Sequence, residues 1–208
     1  MFTTLTIKKS RRFFRKISSE ICEYKGFTYY SSTLLSKKKN NQKYISRFKK
    51  RVGIPIIEEN DDIVLRYKMI VLANSVMSRP YKKVGIYDTE GYLPFLVPFI
   101  SKNCGVISVF TKNAAVYSDI ENEIGVLYGT PIIINDNISD ILRCDISFAL
   151  TPPVALGNSN IFTLNDTEKK ELSLPLPLPE AAGLFYYGGF SEFGKLTFKE
   201  AAITPPRL

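Results

Sequence analysis

The sequence predicts an α/β chain: a parallel sheet of about five strands, a basic helical N-terminal extension before it and a Pro-linked segment after it. Three observations carry this reading. Beyond residue 83, short apolar runs alternate with helical stretches at a spacing of roughly 20 to 25 residues, which leaves room for a crossover helix between parallel strands. The runs themselves are uniformly apolar, as strands covered on both faces must be. The charge is also divided. Residues 1–83 hold 20 Lys and Arg against 6 Asp and Glu, a balance of +14, whereas residues 84–208 hold 8 against 14, a balance of −6.

Within the N-terminal extension (1–81), Phe13, Phe14, Ile17 and Ile21 recur at three- and four-residue steps, which predicts a basic amphipathic helix over residues 7–24, ended by Gly26. Residues 28–41 are rich in Ser and Lys without a sustained period and read as a loop. Gly53 and Pro55 break any helix in 47–57. A second helix begins at Asp61 or Asp62 as N-cap, with Ile63, Tyr67, Ile70, Val71, Asn74 and Met77 on one face, and ends before Pro80.

In the central part (82–165) the expected strands are VGIYD (84–88), VISVF (106–110), PIIIN (131–135), DISFAL (145–150) and NIFTL (160–164). Helices are expected over 92–102, 114–128 and 138–142. Pro94 fits a first helical turn, but Pro98 deletes a hydrogen bond further in and shortens or kinks that helix. The whole reads as a Rossmann-like domain. In the last part (166–208), Pro175, Pro177 and Pro179 alternate with Leu, which favours an extended connector. A short helix is expected over 197–202, and the apolar FYYGGF implies that the segment packs back.

Composition narrows the chemistry. The 208 residues contain no His, which removes imidazole as base, acid or metal ligand. Cys22, Cys104 and Cys144 are widely spaced and form no CxxC pair, so buried reduced thiols are expected, with neither a disulfide framework nor a thiolate metal site. The stretch GYLPFLVPFIS (91–101) is about half the length a membrane helix needs. The first residues place their charges after a short apolar stretch, the reverse of a secretory leader, so a cytoplasmic protein with no membrane span is expected.

The turn after the first central strand (VGIYDTEGYL), the VFTK ending of the second and the DISFALTPP ending of the fourth resemble the NAD(P)-binding domain of the shikimate dehydrogenase and related amino-acid dehydrogenase type. The resemblance implies a nucleotide site at Asp88, Gly91, Thr111, Lys112 and Thr151, with Thr151 beside the nicotinamide.

The residues themselves fit that role unevenly. A dinucleotide site uses a GxGxxG turn so that backbone can approach the pyrophosphate. Here the turn is Asp88-Thr89-Glu90-Gly91-Tyr92, with one usable glycine and two carboxylates that repel an anion. Asp88 and Glu90 would instead suit a charged rim or a cation, but two carboxylates alone are a poor metal set and DTEG reads more simply as plain turn chemistry. Thr111 and Lys112 stand where a ribose-binding acid is expected, which disfavours NAD and would suit the 2′-phosphate of NADP. Thr111 is also a natural helix cap, and Thr151 a strand terminator. Asp119, Glu121 and Glu123 read as a solvated helix face.

Three functions follow from these readings. The first is a non-catalytic Rossmann-like binding, regulatory or assembly protein of unknown ligand. The second is an NADP-dependent oxidoreductase with an atypical phosphate loop. The third is a protein that binds nucleic acid or another anionic polymer through basic residues 1–51.

Overall fold

The computed structural model describes residues 1–10, 16–37, 41–151, 160–164, 172–173, 176–190 and 195–196. The chain divides into two compact units, Met1–Tyr67 with Leu174–Phe193, and Lys68–Ser173 with Gly194–Leu208.

The first unit is built on a four-stranded sheet. Its strands are β1 (Thr3–Lys9), β2 (Lys16–Tyr24), β3 (Phe27–Ser36) and, after helix α1 (Gln42–Val52), β4 (Ile56–Glu58), in the order β2-β3-β1-β4. β1 runs parallel to β3 and β4, and β2 pairs antiparallel with β3. The helix expected over 7–24 is therefore absent from the described part of that range, where β1 and β2 stand instead. The four-residue step from Ile17 to Ile21 is even, so it satisfies a strand's period of two as well as a helical one. The chain reverses at Lys25 (φ 47°) and Gly26 (φ 82°), the two left-handed residues that a tight hairpin needs.

The expected loop at 28–41 is largely β3. Flanked by a strand on each side, it needs no alternation of apolar and polar residues, because its hydroxyls pair inside the sheet. Ser32 Oγ lies 3.0 Å from Thr3 Oγ1 and 2.8 Å from Ser19 Oγ. Helix α1 ends at Gly53 in the left-handed conformation (φ 68°) and turns Tyr44, Ile45 and Phe48 onto Leu5 and Leu34.

The helix at 61–80 is α2 (Asp62–Val76). Asp61 accepts the Glu58 N–H at 2.7 Å ahead of it, and Arg66 pairs with Asp62 one turn away. Residues 69–73 are all buried, but Asn74, expected on the apolar face, is exposed.

The second unit contains β5 (Tyr81–Tyr87), α3 (Val97–Ile100), β6 (Cys104–Phe110), α4 (Ala115–Tyr128), β7 (Ile132–Asn135), α5 (Ser139–Leu142), β8 (Ile146–Ala149) and β9 (Ile161–Thr163). The strand order is β7-β6-β5-β8-β9 and every pair is parallel. This is the order of a Rossmann-like sheet, with its switch point between β5 and β8. Pro98 acts as expected: only one α-helical turn forms around it, flanked by 3-10 turns at Pro94–Leu96 and Ser101–Asn103. Val84, Ile86, Ile107, Val109 and Phe148 are fully buried, each contributing about 1.5–3 kcal/mol of transfer free energy.

Strands β10 (Leu172–Ser173) and β11 (Lys195–Leu196) form a small antiparallel pair. Between them in the chain, the Leu-Pro stretch is not extended throughout. Pro177 is the N-cap and Pro179 lies in the first turn of helix α6 (Leu178–Gly188), a position that costs no hydrogen bond. The helix expected over 197–202 lies outside the described residues.

Two glycines fix how closely helices approach the sheets. A Cβ on Gly85 would overlap Ser147 Oγ and stand 3.2 Å from Cys144 Sγ, just beyond α5. A Cβ on Gly183 would overlap the Phe2 ring and stand 2.6 Å from Ile57 Cδ1, so α6 lies directly on β1 and β4. Overpacking at such sites costs about 1–3 kcal/mol. Gly183→Ala is expected to lower stability by that amount, read as a lower urea midpoint with an unchanged m-value, whereas Gly125→Ala, with open space around it in α4, should hold or raise the midpoint.

Candidate functional site

Open parallel sheets bind ligands at the carboxyl ends of their strands, beside the switch point. Asp88 follows β5 there, Thr111 and Lys112 follow β6, and Thr151 follows β8. Two backbone bonds tie the first two ends together: the Asp88 N–H donates to Phe110 O at 2.9 Å and the Lys112 N–H to Thr89 O at 3.2 Å. The rings of Tyr87 and Phe110 stack above them at 5.2 Å.

The decisive geometry belongs to the Asp88 side chain, which is 4% exposed. Its Oδ1 accepts the N–H groups of Gly91 at 3.0 Å and Tyr92 at 2.8 Å, and its Oδ2 accepts the N–H of Leu93 at 2.8 Å and the hydroxyl of Tyr117 at 2.5 Å. Three successive backbone donors and a phenol thus converge on one carboxylate. Local chain geometry requires this arrangement. Gly91 has φ 82°, which folds the turn back over Asp88, and a Cβ there would sit 2.9 Å from Val116 Cγ2 and 3.1 Å from Asn113 Nδ2. Glu90 points to solvent and Tyr92 is 59% exposed, so neither covers the turn.

Tyr117 comes from the first turn of α4 and is fully buried. Burial, followed by the hydrogen bond to Asp88 and its negative charge, pushes its phenol well above the ordinary tyrosine range. It stays a donor and is no base at neutral pH.

The remaining expected residues are separate from this network. Thr111 is buried and its Oγ1 accepts the Asn113 N–H at 3.0 Å, a turn just ahead of α4, whose N-cap is Ala114. Lys112 and Thr151 are exposed, and Pro152 and Pro153 lie outside the described residues. Asp119, Glu121 and Glu123 lie exposed along α4. Burial pushes the Cys104 thiol up to about 12 and raises that of Cys144, so neither supplies a thiolate near neutrality. Among the described residues no three His, Cys, Asp or Glu side chains cluster as metal ligands, and no helix is long and apolar enough to cross a membrane.

No family model matches the chain, and no curated protein is similar to it. Among solved structures, the iminosuccinate reductase of Paracoccus denitrificans, in complex with NAD+, is 11% identical with a TM-score of 0.35 over 65% of this chain and 50% of its own. A lysine cyclodeaminase is 13% identical with a TM-score of 0.33 over 54% and 34%. The Δ1-pyrroline-2-carboxylate reductase of Thermococcus litoralis, in complex with NADH and L-proline, is 15% identical with a TM-score of 0.31 over 48% and 33%. The chain spans between a third and a half of each of these proteins. The strand order carries the fold assignment on its own.

Tyr117 was not legible as a site residue. Its only sequence signal is a position on the inward face of the helix after VFTK, shared with Ile124 two turns on.

Two outcomes are expected. Asp88→Ala should cost roughly 2–4 kcal/mol, because it strands two buried donors, the Leu93 N–H and the Tyr117 hydroxyl, and two partly buried ones, and Tyr117→Phe about 1 kcal/mol. Chemical denaturation of the double variant should return less than the sum of the two losses. The second concerns alkaline pH. Burial raises Tyr117 and Tyr67 and takes Tyr29 to about 12, against 10 when unfolded. Above pH 10 the folded chain therefore holds more protons than the unfolded one, and stability falls as pH rises, the loss from Tyr29 being complete near pH 12. The phenolate absorbance of these three tyrosines should rise together with the loss of folded structure, followed by near-UV circular dichroism over the same pH range.

Proposed function

We propose that this chain is a Rossmann-like binding protein, regulatory or assembling and not catalytic, whose β5 turn accepts no pyrophosphate. The observation that carries the reading is the Asp88 carboxylate. A pyrophosphate would need the N–H groups of Gly91, Tyr92 and Leu93, all of which already donate to Asp88. A second anion brought to the same donors would meet a buried like charge. NADP therefore does not fit this turn in the usual pose. The side-chain chemistry points the same way: the sequence has no His, and burial keeps Cys104, Cys144 and Tyr117 protonated.

A second reading, the NADP-dependent oxidoreductase that the shikimate dehydrogenase resemblance implies, draws support from the exposure of Lys112 and Thr151 at the carboxyl ends of β6 and β8. It requires the pyrophosphate to sit outside the β5 turn. The two readings separate in a thermal-shift titration with NADPH and NADH. A ligand at a hundred times its Kd adds about 2.7 kcal/mol. For a chain of this size that raises Tm by roughly 5–10 °C. The first reading expects no shift at millimolar nucleotide. A shift that disappears in Lys112→Gln would establish the second.

A further inference from the structure

We propose that the carboxyl-end rim of the first unit's sheet, together with the outer face of α1, is a binding surface for the phosphate backbone of nucleic acid. The inference is independent of the β5 turn, since every residue it uses belongs to the first unit.

Register brings the charges together. Lys8 on β1 and Lys16 on β2 are both paired with Leu35 of β3, so they flank it on the same face, about 9.5 Å apart by the spacing of two strands. Lys9 lies beside Ser36 on the opposite face of the same end. Asn41, which accepts the Ser36 hydroxyl at 2.7 Å, anchors the start of α1 at this rim. The first turn of α1 contains no acidic residue and its N-cap makes no side-chain bond to the helix, so the positive end of its dipole adds to the lysines.

From there Lys43, Arg47, Lys50 and Arg51 follow at steps of four, three and one, which lays them along one side of the helix. All are exposed, as are Lys8, Lys9 and Lys16. Among the described residues none of these seven forms a salt bridge. Lys49, by contrast, is bound to Glu58 at 2.7 Å. The acids of β2 lie away from the rim: Glu20 is four residues, or about 13 Å, along the strand from Lys16, and Glu23 is further. Seven cations that form no salt bridge among the described residues repel one another, and a polyanion relieves that repulsion while releasing its own counterions.

The choice between nucleic acid and an anionic membrane rests on α1. An amphipathic helix binds a bilayer by burying its apolar face in it. The apolar face of α1 is already committed: Ile45 is buried, and Tyr44 and Phe48 pack against Leu5 and Leu34. Only the charged face is presented, which suits phosphates.

The test measures binding of a fluorescently labelled DNA duplex to the full chain by anisotropy across a salt series, with vesicles of phosphatidylserine and phosphatidylcholine as a parallel arm. Wild type is expected to bind with a log–log salt slope of about −3 to −5, and Lys8→Gln, Lys9→Gln, Lys16→Gln and Lys43→Gln combined to lose at least about tenfold in low salt, with the slope reduced by roughly 3. Single Lys16→Gln and Lys43→Gln variants should each reduce it by about 0.9, so the result does not depend on the fold of the quadruple variant. Lys82→Gln with Lys102→Gln, in the second unit, should leave the slope unchanged. Absence of duplex binding at low salt, a slope that the rim variants do not move, or capture by vesicles without capture by duplex would each overturn the proposal.

Discussion

The second unit depends on the pairing of three backbone N–H groups at the point where β5 ends. In a parallel sheet this turn is the place where a chain leaves the core and starts a helix, and its donors must be satisfied by water, ligand or protein. Here the protein does it. Asp88 sits at the end of the central strand, reaches over its own turn and collects Gly91, Tyr92 and Leu93, and Tyr117 of α4 completes the set. One side chain therefore sets the path of the chain into α3, the seat of α4 and the chemical character of the carboxyl edge. An anion-binding turn whose anion is covalently part of the turn is a structural joint.

How far this was legible varies with the period of the sequence. The five strands of the Rossmann-like sheet announce themselves, because each is a largely apolar run, buried on both faces in the middle of the sheet, and their observed limits differ from the expected ones by a few residues. The Asp88 turn was legible as a poor phosphate loop, since charge and glycine spacing are sequence properties. That its carboxylate would fill the loop was not, because the bond depends on the left-handed backbone at Gly91 and on a tyrosine 29 residues away.

The first unit departs from the expected helical extension for a physical reason. Ile17 and Ile21 suit either period, and β3 gains its stability from two flanking ladders and from hydroxyl pairs such as Thr3 with Ser32, which leave no apolar trace. Helix α1 went unmarked because its Lys and Arg residues masked a narrow apolar stripe of Tyr44, Ile45 and Phe48. Its basic character survives the correction, relocated from a supposed N-terminal helix to strand ends and α1.

Helix α6 belongs to the first unit although most of the second lies between it and β1 in the chain. Its Glu180 accepts the hydroxyl of Thr4, a contact across 176 positions of sequence, and Gly183 closes on Phe2 and Ile57. During synthesis, the sheet of the first unit emerges early and waits with one face uncovered until α6 has left the ribosome. The Rossmann-like sheet, whose five strands are continuous in sequence, is complete before then. Completion of the part that begins the chain therefore waits on a late segment, and the interval in which Phe2 and Ile57 stay uncovered is the period when a chaperone would find them.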